Sequence, residues 1–246
     1  MTLNSHEIFE GNPASGMILT CDHASNRVPD EIGDIGLSAY DMSRHIAYDV
    51  GARGVTLAMA QHTNSTAILS RFSRIVIDPN RSETDPTLVR RIYDRSVIEG
   101  NRHADNAEVA RRIATYYAPY HTAITQQITH TRAMGITPAI VAIHSYTPQM
   151  MGRPPRPWHV GILWDGIDGR IAQPLMDRLR ADGFCVGDNE PYPGTYGDDS
   201  QDRHAMQPGL PNVLIEVRND LIEDEAGQKE WADRLSTHLM PIISNL

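Results

Sequence analysis

Three predicted strands end in side chains that could carry out hydrolysis. Each strand is a short apolar run, and the polar pairs that follow the runs are His23 with Asn26, His144 with Ser145, and Glu216 with Arg218. In open α/β sheets, ligands bind beyond the carboxyl ends of the strands, so we expect these side chains at one site. Imidazoles with a nearby carboxylate are the ligands of a catalytic zinc ion, and a separate glutamate then accepts a proton from water. A single histidine after a strand is more often an ordinary loop residue, so the prediction depends on the three ends together.

The composition excludes several other kinds of chemistry. The chain of 246 residues has 22 Lys plus Arg against 31 Asp plus Glu, a net charge of −9, which argues against a nucleic-acid partner. Lys229 is the one lysine, which argues against a phosphate-loop lysine or a Schiff base, and Cys21 and Cys185 are too far apart for a CxxC motif. No apolar run is long enough for a membrane span. We therefore expect a small-molecule partner, no membrane segment and a cytoplasmic location, with the oligomeric state left open.

The elements that must position these side chains alternate between apolar runs and amphipathic segments. Strands are predicted at 17–20, 66–69, 74–77, 139–143, 159–164, 184–186 and 213–217. Helices are predicted at about 41–61, 104–134 with an interruption near Pro119, 168–181 and 223–239. Strands that are apolar along their whole length are covered on both faces, which predicts a three-layer αβα sandwich with a mixed, mostly parallel sheet. We expect one domain over residues 1–246, with the long loop 187–211 as a candidate lid.

The order of the polar motifs resembles that of the zinc carboxypeptidase clan. A strand-end histidine, an Asn-Arg pair, a His-Ser-Tyr strand end and a Glu-x-Arg motif follow one another at His23, 80–81, 144–146 and 216–218. More specifically, residues 21–26, 73–81, 188–192 and 216–220 resemble the N-formylglutamate amidohydrolase family, and the likeness extends from Thr20 to about Trp231. The resemblance implies a zinc-carboxypeptidase-like fold and one zinc ion. It also implies hydrolysis of the amide bond of a small N-acyl amino acid, with N-formyl-L-glutamate giving formate and L-glutamate.

The resemblance also implies a role for each matching residue in the reaction. His23 and His144 become zinc ligands. Glu216 becomes the general base that activates water and later protonates the leaving amine. Arg74 is the candidate for stabilising the oxyanion together with the metal.

Three further residues are implied in recognising the substrate. Asn80 and Arg81 match the pair that grips a substrate carboxylate in the carboxypeptidases. Arg218 becomes a second contact for an anion, or a partner that orients Glu216.

The third metal ligand departs from the carboxypeptidase pattern, which has a glutamate where this chain has Asn26. His45 and Asp49 stand four residues apart, and on a helix they would share one face. We therefore predict a metal site of His23, His144 and His45, with Asp49 as a supporting carboxylate or a competing ligand. The alternative is that His45 and Asp49 form an ordinary pair on a helix surface.

Two other functions stay open at this point. The enzyme could hydrolyse another acyl group or a short peptide-like amide, which depends on whether the pocket accepts more than a formyl group. The chain could also be a non-catalytic descendant that binds a metal or an amino-acid derivative. Asn26 keeps this reading open, whereas Glu216, Asn80 and Arg81 argue against it because a binder needs no general base.

Overall fold

The structure is a computed structural model that describes residues 4–195 and 197–246. Seven strands form one sheet in the order β1-β3-β2-β6-β9-β7-β8, and β4 and β5 form a separate hairpin. The strands are β1 His6–Phe9, β2 Met17–Cys21, β3 Thr66–Ser70, β4 Ile92–Tyr93, β5 Ser96–Val97, β6 Ala139–Tyr146, β7 Val160–Leu163, β8 Val186–Asp188 and β9 Asn212–Arg218. The sheet is mixed: β3, β2, β6 and β9 run parallel, whereas β1 pairs antiparallel with β3 and β7 antiparallel with β9.

Helices cover both faces of this sheet. They are α1 Ala39–Met42, α2 Ala52–Thr63, α3 Asn106–Arg112, α4 Ala118–Ala133, α5 Ala172–Ala181 and α6 Glu225–Ile243. Alternate residues of one strand face opposite layers: Leu19 of β2 packs with residues of α2, α5 and α6, whereas Ile18 packs with residues of α4. The two-sided burial makes the strands apolar along their length, so the predicted αβα sandwich is confirmed.

Residues 41–61 do not form the single helix that the sequence pattern predicted. Between α1 and α2 the chain makes a series of turns, and α2 begins after Gly51. Backbone groups that a helix would use bind elsewhere: the amide of Asp49 donates to the carbonyl of His23, and the carbonyl of Ala47 accepts from Ser73 Oγ. Gly51 has φ +80, and a Cβ there would lie 2.1 Å from the carbonyl oxygen of Ile222.

The segment predicted as an interrupted helix at 104–134 is helical from Asn106 to Ala133. Its interruption is a π-helical turn at Ile113–Tyr117, and the chain then continues directly into α4. Pro119 lies in the first turn of α4, directly after the π-helical turn, so the interruption is close to the position predicted from the sequence.

The apolar run 74–77 is buried but forms turns instead of the predicted strand. Side chains take up its carbonyl groups: Asn101 Nδ2 donates to Ile75, and the buried Arg112 donates to Val76 and to Asn101 Oδ1. This arrangement holds the segment that leads from Arg74 to Asp78.

Among the described residues, no helix is long and apolar enough to cross a membrane.

We expect Arg112→Met to lower the free energy of unfolding by about 2 to 3 kcal/mol, because it strands the buried oxygens of Val76 and Asn101. Arg111→Met is the matched control, since Arg111 is exposed and pairs with Glu108 on the same helix. Urea denaturation of both variants measures the difference. Equal effects of the two substitutions would contradict the role given to Arg112.

Candidate functional site

Three of the predicted site residues lie near the carboxyl ends of neighbouring parallel strands. His23 follows β2, whereas His144 lies in β6 and Glu216 in β9. The β6–β9 register pairs His144 directly with Glu216, and β2 is the other neighbour of β6. All three residues line one cleft of about 50 Å³ and are buried.

The carboxylate of Asp49 lies between the two histidines. Its Oδ2 is 3.2 Å from Nδ1 of His23 and 2.8 Å from Nδ1 of His144, and the two rings meet edge to face. One nitrogen from each histidine and one oxygen of Asp49 lie within 4.8 Å of one another, and all three side chains are buried. Two imidazoles and a carboxylate in this arrangement form a group that can hold a metal ion.

The outer nitrogens of both histidines contact further buried carboxylates. Nε2 of His23 is 2.7 Å from Oδ1 of Asp78, and Nε2 of His144 is 3.2 Å from Oδ2 of Asp22. Carboxylates in this position orient the two rings, so that each Nδ1 faces Asp49. Asp22 and Asp78 lie within the motifs at 21–26 and 73–81, and no role was predicted for either. Their place beside the motif histidine and the Asn-Arg pair was the available signal.

The charges of this buried group depend on one another. Burial opposes charge on His144, but its contacts with Asp22 and Asp49 outweigh this cost and raise its pKa well above the ordinary value. Burial likewise opposes ionisation of Asp49, but the neighbouring histidines hold the pKa of its carboxyl well below its usual range. The carboxylates are therefore ionised, and His144 is a protonated, positively charged imidazolium when no metal is bound.

His45 lies beside this group on the other side of Asp49. Its Nδ1 is 3.2 Å from Oδ1 of Asp49, the oxygen that faces away from His23 and His144, and it makes no hydrogen bond to a described residue. Burial lowers the pKa of His45, so its ring is neutral. The pair is part of the cleft lining and not a helix-surface pair. Asn26 is exposed and donates to the carbonyl of Met42, outside the histidine group.

Glu216 is a buried carboxyl group with one unpartnered oxygen. It is 7% exposed, and its Oε2 has no hydrogen-bond partner among the described residues. Burial raises the pKa of Glu216 to about 8, with the charge of Asp49 acting in the same direction. A carboxyl group with such a pKa can both accept and return a proton near neutral pH.

The cleft also contains the cationic and amide side chains that the resemblance implied. Arg74 bridges two carboxylates, with Nη1 3.2 Å from Asp49 and Nη2 3.3 Å from Asp78, while its buried Nε has no described partner. Asn80 and Arg81 line the same cleft. The amide oxygen of Asn80 accepts from the backbone of Ser200, which ties the cleft to the 187–211 segment.

Arg218 lies elsewhere. Its guanidinium pairs with Asp220 at 2.8 Å and donates to the carbonyl of Trp158, and it does not line the cleft. The cleft is also lined by two aromatic residues for which no role was predicted, Tyr93 and Tyr192. Tyr192 belongs to the quoted 188–192 motif, whereas no sequence signal pointed to Tyr93.

Fold and site define an α/β protein with a buried histidine–carboxylate group and a glutamate at the carboxyl edge of its sheet. A sequence model described as N-formylglutamate amidohydrolase matches residues 15–223. A solved gene product from Agrobacterium tumefaciens is 33% identical, with a TM-score of 0.92 and coverage of 99% of this chain and 96% of that one. N-formylglutamate amidohydrolase from Ralstonia eutropha JMP134 shares the fold, with 19% identity, a TM-score of 0.73 and coverage of 99% and 98%. No match was found among curated proteins.

The chain belongs to the N-formylglutamate amidohydrolase family, because the family match covers most of its length. The family resemblance predicted from the sequence is therefore confirmed. Membership makes the protein an amidohydrolase with a small-molecule substrate.

The raised pKa of Glu216 predicts how metal-free stability depends on pH. Between its ordinary value of 4.5 and about 8, the folded state keeps a proton on Glu216 that the unfolded state has released. Stability from this group is therefore present below pH 4.5 and is lost as the pH rises to 8. We expect the wild type to lose stability relative to Glu216→Gln over this interval in urea denaturation with a chelator. Glu10→Gln, at an exposed glutamate, should follow the wild type. A pH-independent difference between wild type and Glu216→Gln would contradict the assignment.

Proposed function

We propose that this amidohydrolase cleaves the amide bond of a small N-acyl amino acid with one bound zinc ion, and that N-formyl-L-glutamate is its substrate. The observation that carries the proposal is the carboxylate of Asp49 between Nδ1 of His23 and Nδ1 of His144, in one cleft with the unpartnered oxygen of Glu216. The family match supports the amide as the bond that is broken.

The donor set fits zinc. Two histidines with one carboxylate are the protein ligands of catalytic zinc in several peptidases, and the fourth position is left to water or substrate. This assignment makes Asp49 the third ligand in place of His45. Because His144 carries a proton in the metal-free protein, metal binding must release it, and metal affinity should rise with pH.

The residues of the cleft divide the reaction among them. When bound, zinc supplies Lewis-acid chemistry, since it polarises a carbonyl group and lowers the pKa of water to about 7. Glu216 takes a proton from the attacking water and gives it to the amide nitrogen as the C–N bond breaks. Arg74 stabilises the negative charge that develops on the carbonyl oxygen. The products are formate and L-glutamate.

Asn80 and Arg81 hold the substrate through its carboxylate. Both line the cleft, and a guanidinium next to an amide group gives directed hydrogen bonds to a carboxylate. Arg218 has no role in this proposal, because it is engaged with Asp220 outside the cleft.

The non-catalytic alternative is less well supported by the arrangement. It depended on Asn26 in the place of a ligating glutamate, whereas Asp49 offers a buried carboxylate to both histidines from another part of the chain. A protein that only binds a metal or an amino acid has no need of Glu216 with its raised pKa. The cytoplasmic location stays a prediction from the sequence.

The choice of third ligand can be tested by metal content. We expect Asp49→Ala to lose zinc under conditions in which His45→Ala keeps it, because Asp49 faces both histidines and His45 faces the far oxygen of Asp49. Loss of a supporting residue costs about 10 to 100-fold in metal affinity, whereas loss of a ligand should exceed this. Competition with a chromophoric chelator measures the affinities. Stronger loss in His45→Ala than in Asp49→Ala would reverse the assignment.

The reaction itself can be followed through formate release. We expect the wild type to release formate from N-formyl-L-glutamate. This activity should be lost after treatment with a chelator and regained when zinc is returned. Glu216→Gln should lower kcat by at least about 100-fold, since it removes the general base, and should still bind zinc. His62→Gln is a control at an exposed histidine that pairs with Asp233. Activity that survives complete metal removal would rule out the zinc mechanism.

A further inference from the structure

The carboxylate of Asp22 contacts His144 through one oxygen and two buried hydroxyl groups through the other. Its Oδ2 is 3.2 Å from Nε2 of His144, whereas its Oδ1 accepts hydrogen bonds from the hydroxyl groups of Tyr120 at 2.7 Å and Ser200 at 3.0 Å. All four side chains are buried, so these contacts are shielded from solvent. Both contacts to Oδ1 are shorter than the contact to His144. The two hydroxyl groups therefore determine how the Asp22 carboxylate is turned.

The two hydroxyl groups come from distant parts of the chain that are joined to each other by a further buried contact. Tyr120 lies on α4, and Ser200 lies in the 187–211 segment. His121 follows Tyr120 on α4, and its Nδ1 is 2.8 Å from Nε2 of His204, which follows Ser200 by four residues. Burial lowers the pKa of these histidines to about 3 and about 4, so the contact is a hydrogen bond between two neutral rings. Both hydroxyl groups are thus held in place by their own elements.

Ser200 also contacts the cleft through its backbone. Its amide donates to Oδ1 of Asn80 at 3.2 Å, and Asn80 lines the cleft. The amide of Asn80 in turn donates to Oδ1 of Asp78, which is 2.7 Å from Nε2 of His23. Ser200 is therefore connected to His23 through its backbone and to His144 through its hydroxyl group.

We infer that Ser200 and Tyr120 are positioning residues for the metal site, because their hydroxyl groups fix the Asp22 carboxylate and, through it, the ring of His144. The inference rests on the proposed function, since it concerns the same metal group. Neither hydroxyl group makes a hydrogen bond to a proposed metal ligand, so the effect on metal binding must pass through Asp22. At Ser200 the 187–211 segment then serves as a buried support of the site.

Zinc affinity, measured by competition with a chromophoric chelator, tests the inference. Ser200→Ala removes the hydroxyl group but keeps the backbone amide that donates to Asn80, and Tyr120→Phe removes only the phenolic oxygen. A buried hydrogen bond is worth a factor of about 2 to 10, so we expect each variant to bind zinc more weakly by this factor. The double variant should approach the loss of about 10 to 100-fold that follows removal of a direct partner of a ligand.

Tyr116→Phe is the matched control for the loss of a tyrosine hydroxyl group. Tyr116 is likewise fully buried, at the π-helical turn before α4, and its hydroxyl group donates at 2.8 Å to the carboxylate of Glu31, outside the metal group. This variant should keep the zinc affinity of the wild type, as should Ser200→Thr, which retains a hydroxyl group. Urea denaturation of the metal-free variants records any general loss of stability separately.

Removal of Asp22 shows whether the hydroxyl groups act through it. In Asp22→Ala, the further changes Ser200→Ala and Tyr120→Phe should leave zinc affinity unaltered, because the group that they position is gone. Wild-type affinity in the Ser200→Ala, Tyr120→Phe double variant, or an equal loss in Tyr116→Phe, would overturn the inference, and this comparison stands if Asp22→Ala does not fold. Failure of the proposed function looks different, since the wild type itself would then bind no zinc and the inference would fall with it.

Discussion

The site depends on the buried carboxylate of Asp49. Its Oδ2 lies near Nδ1 of both His23 and His144 and accepts from the backbone of Ser145, while Oδ1 pairs with Arg74. An ionised carboxylate at 1% exposure is stable only with such partners, because the cost of removing it from water is several kcal/mol. The turns between α1 and α2 place this side chain at the carboxyl ends of the strands.

The two aspartates that contact the outer nitrogens of the histidines, Asp22 and Asp78, are also buried and need partners. Asp22 receives hydrogen bonds from Tyr120 and Ser200, and Asp78 receives one from the backbone of Asn80 and pairs with Arg74. Asp22 is thus held from two distant parts of the chain, whereas Asp78 is held by residues of its own segment, 74–80. The core helix α4 and the 187–211 segment are thereby joined to the site through hydrogen bonds as well as apolar packing.

The sequence allowed the layers and most strand ends to be predicted, because apolar runs covered on both faces leave an unambiguous pattern. It placed Asp49 among the candidate metal-site residues, as a supporting carboxylate or a competing ligand, but did not predict that its carboxylate lies between His23 and His144. The periodic apolar residues of 41–61 resemble a helix, and the hydrogen bonds that prevent it come from distant positions such as His23 and Ser73. Arg218 illustrates the same limit: the Glu-x-Arg spacing places it on the same face of β9 as Glu216, but its contacts with Asp220 and the carbonyl of Trp158 hold the guanidinium outside the cleft.

Under the proposed function, His23, Asp49 and His144 hold one catalytic metal ion. Anomalous diffraction from zinc-loaded crystals, recorded on both sides of the zinc absorption edge, tests it most directly. We expect one peak about 2.0 to 2.2 Å from Nδ1 of each histidine and from an oxygen of Asp49. A peak coordinated by His45 in place of Asp49, or the absence of a peak at this group in fully loaded protein, would contradict it.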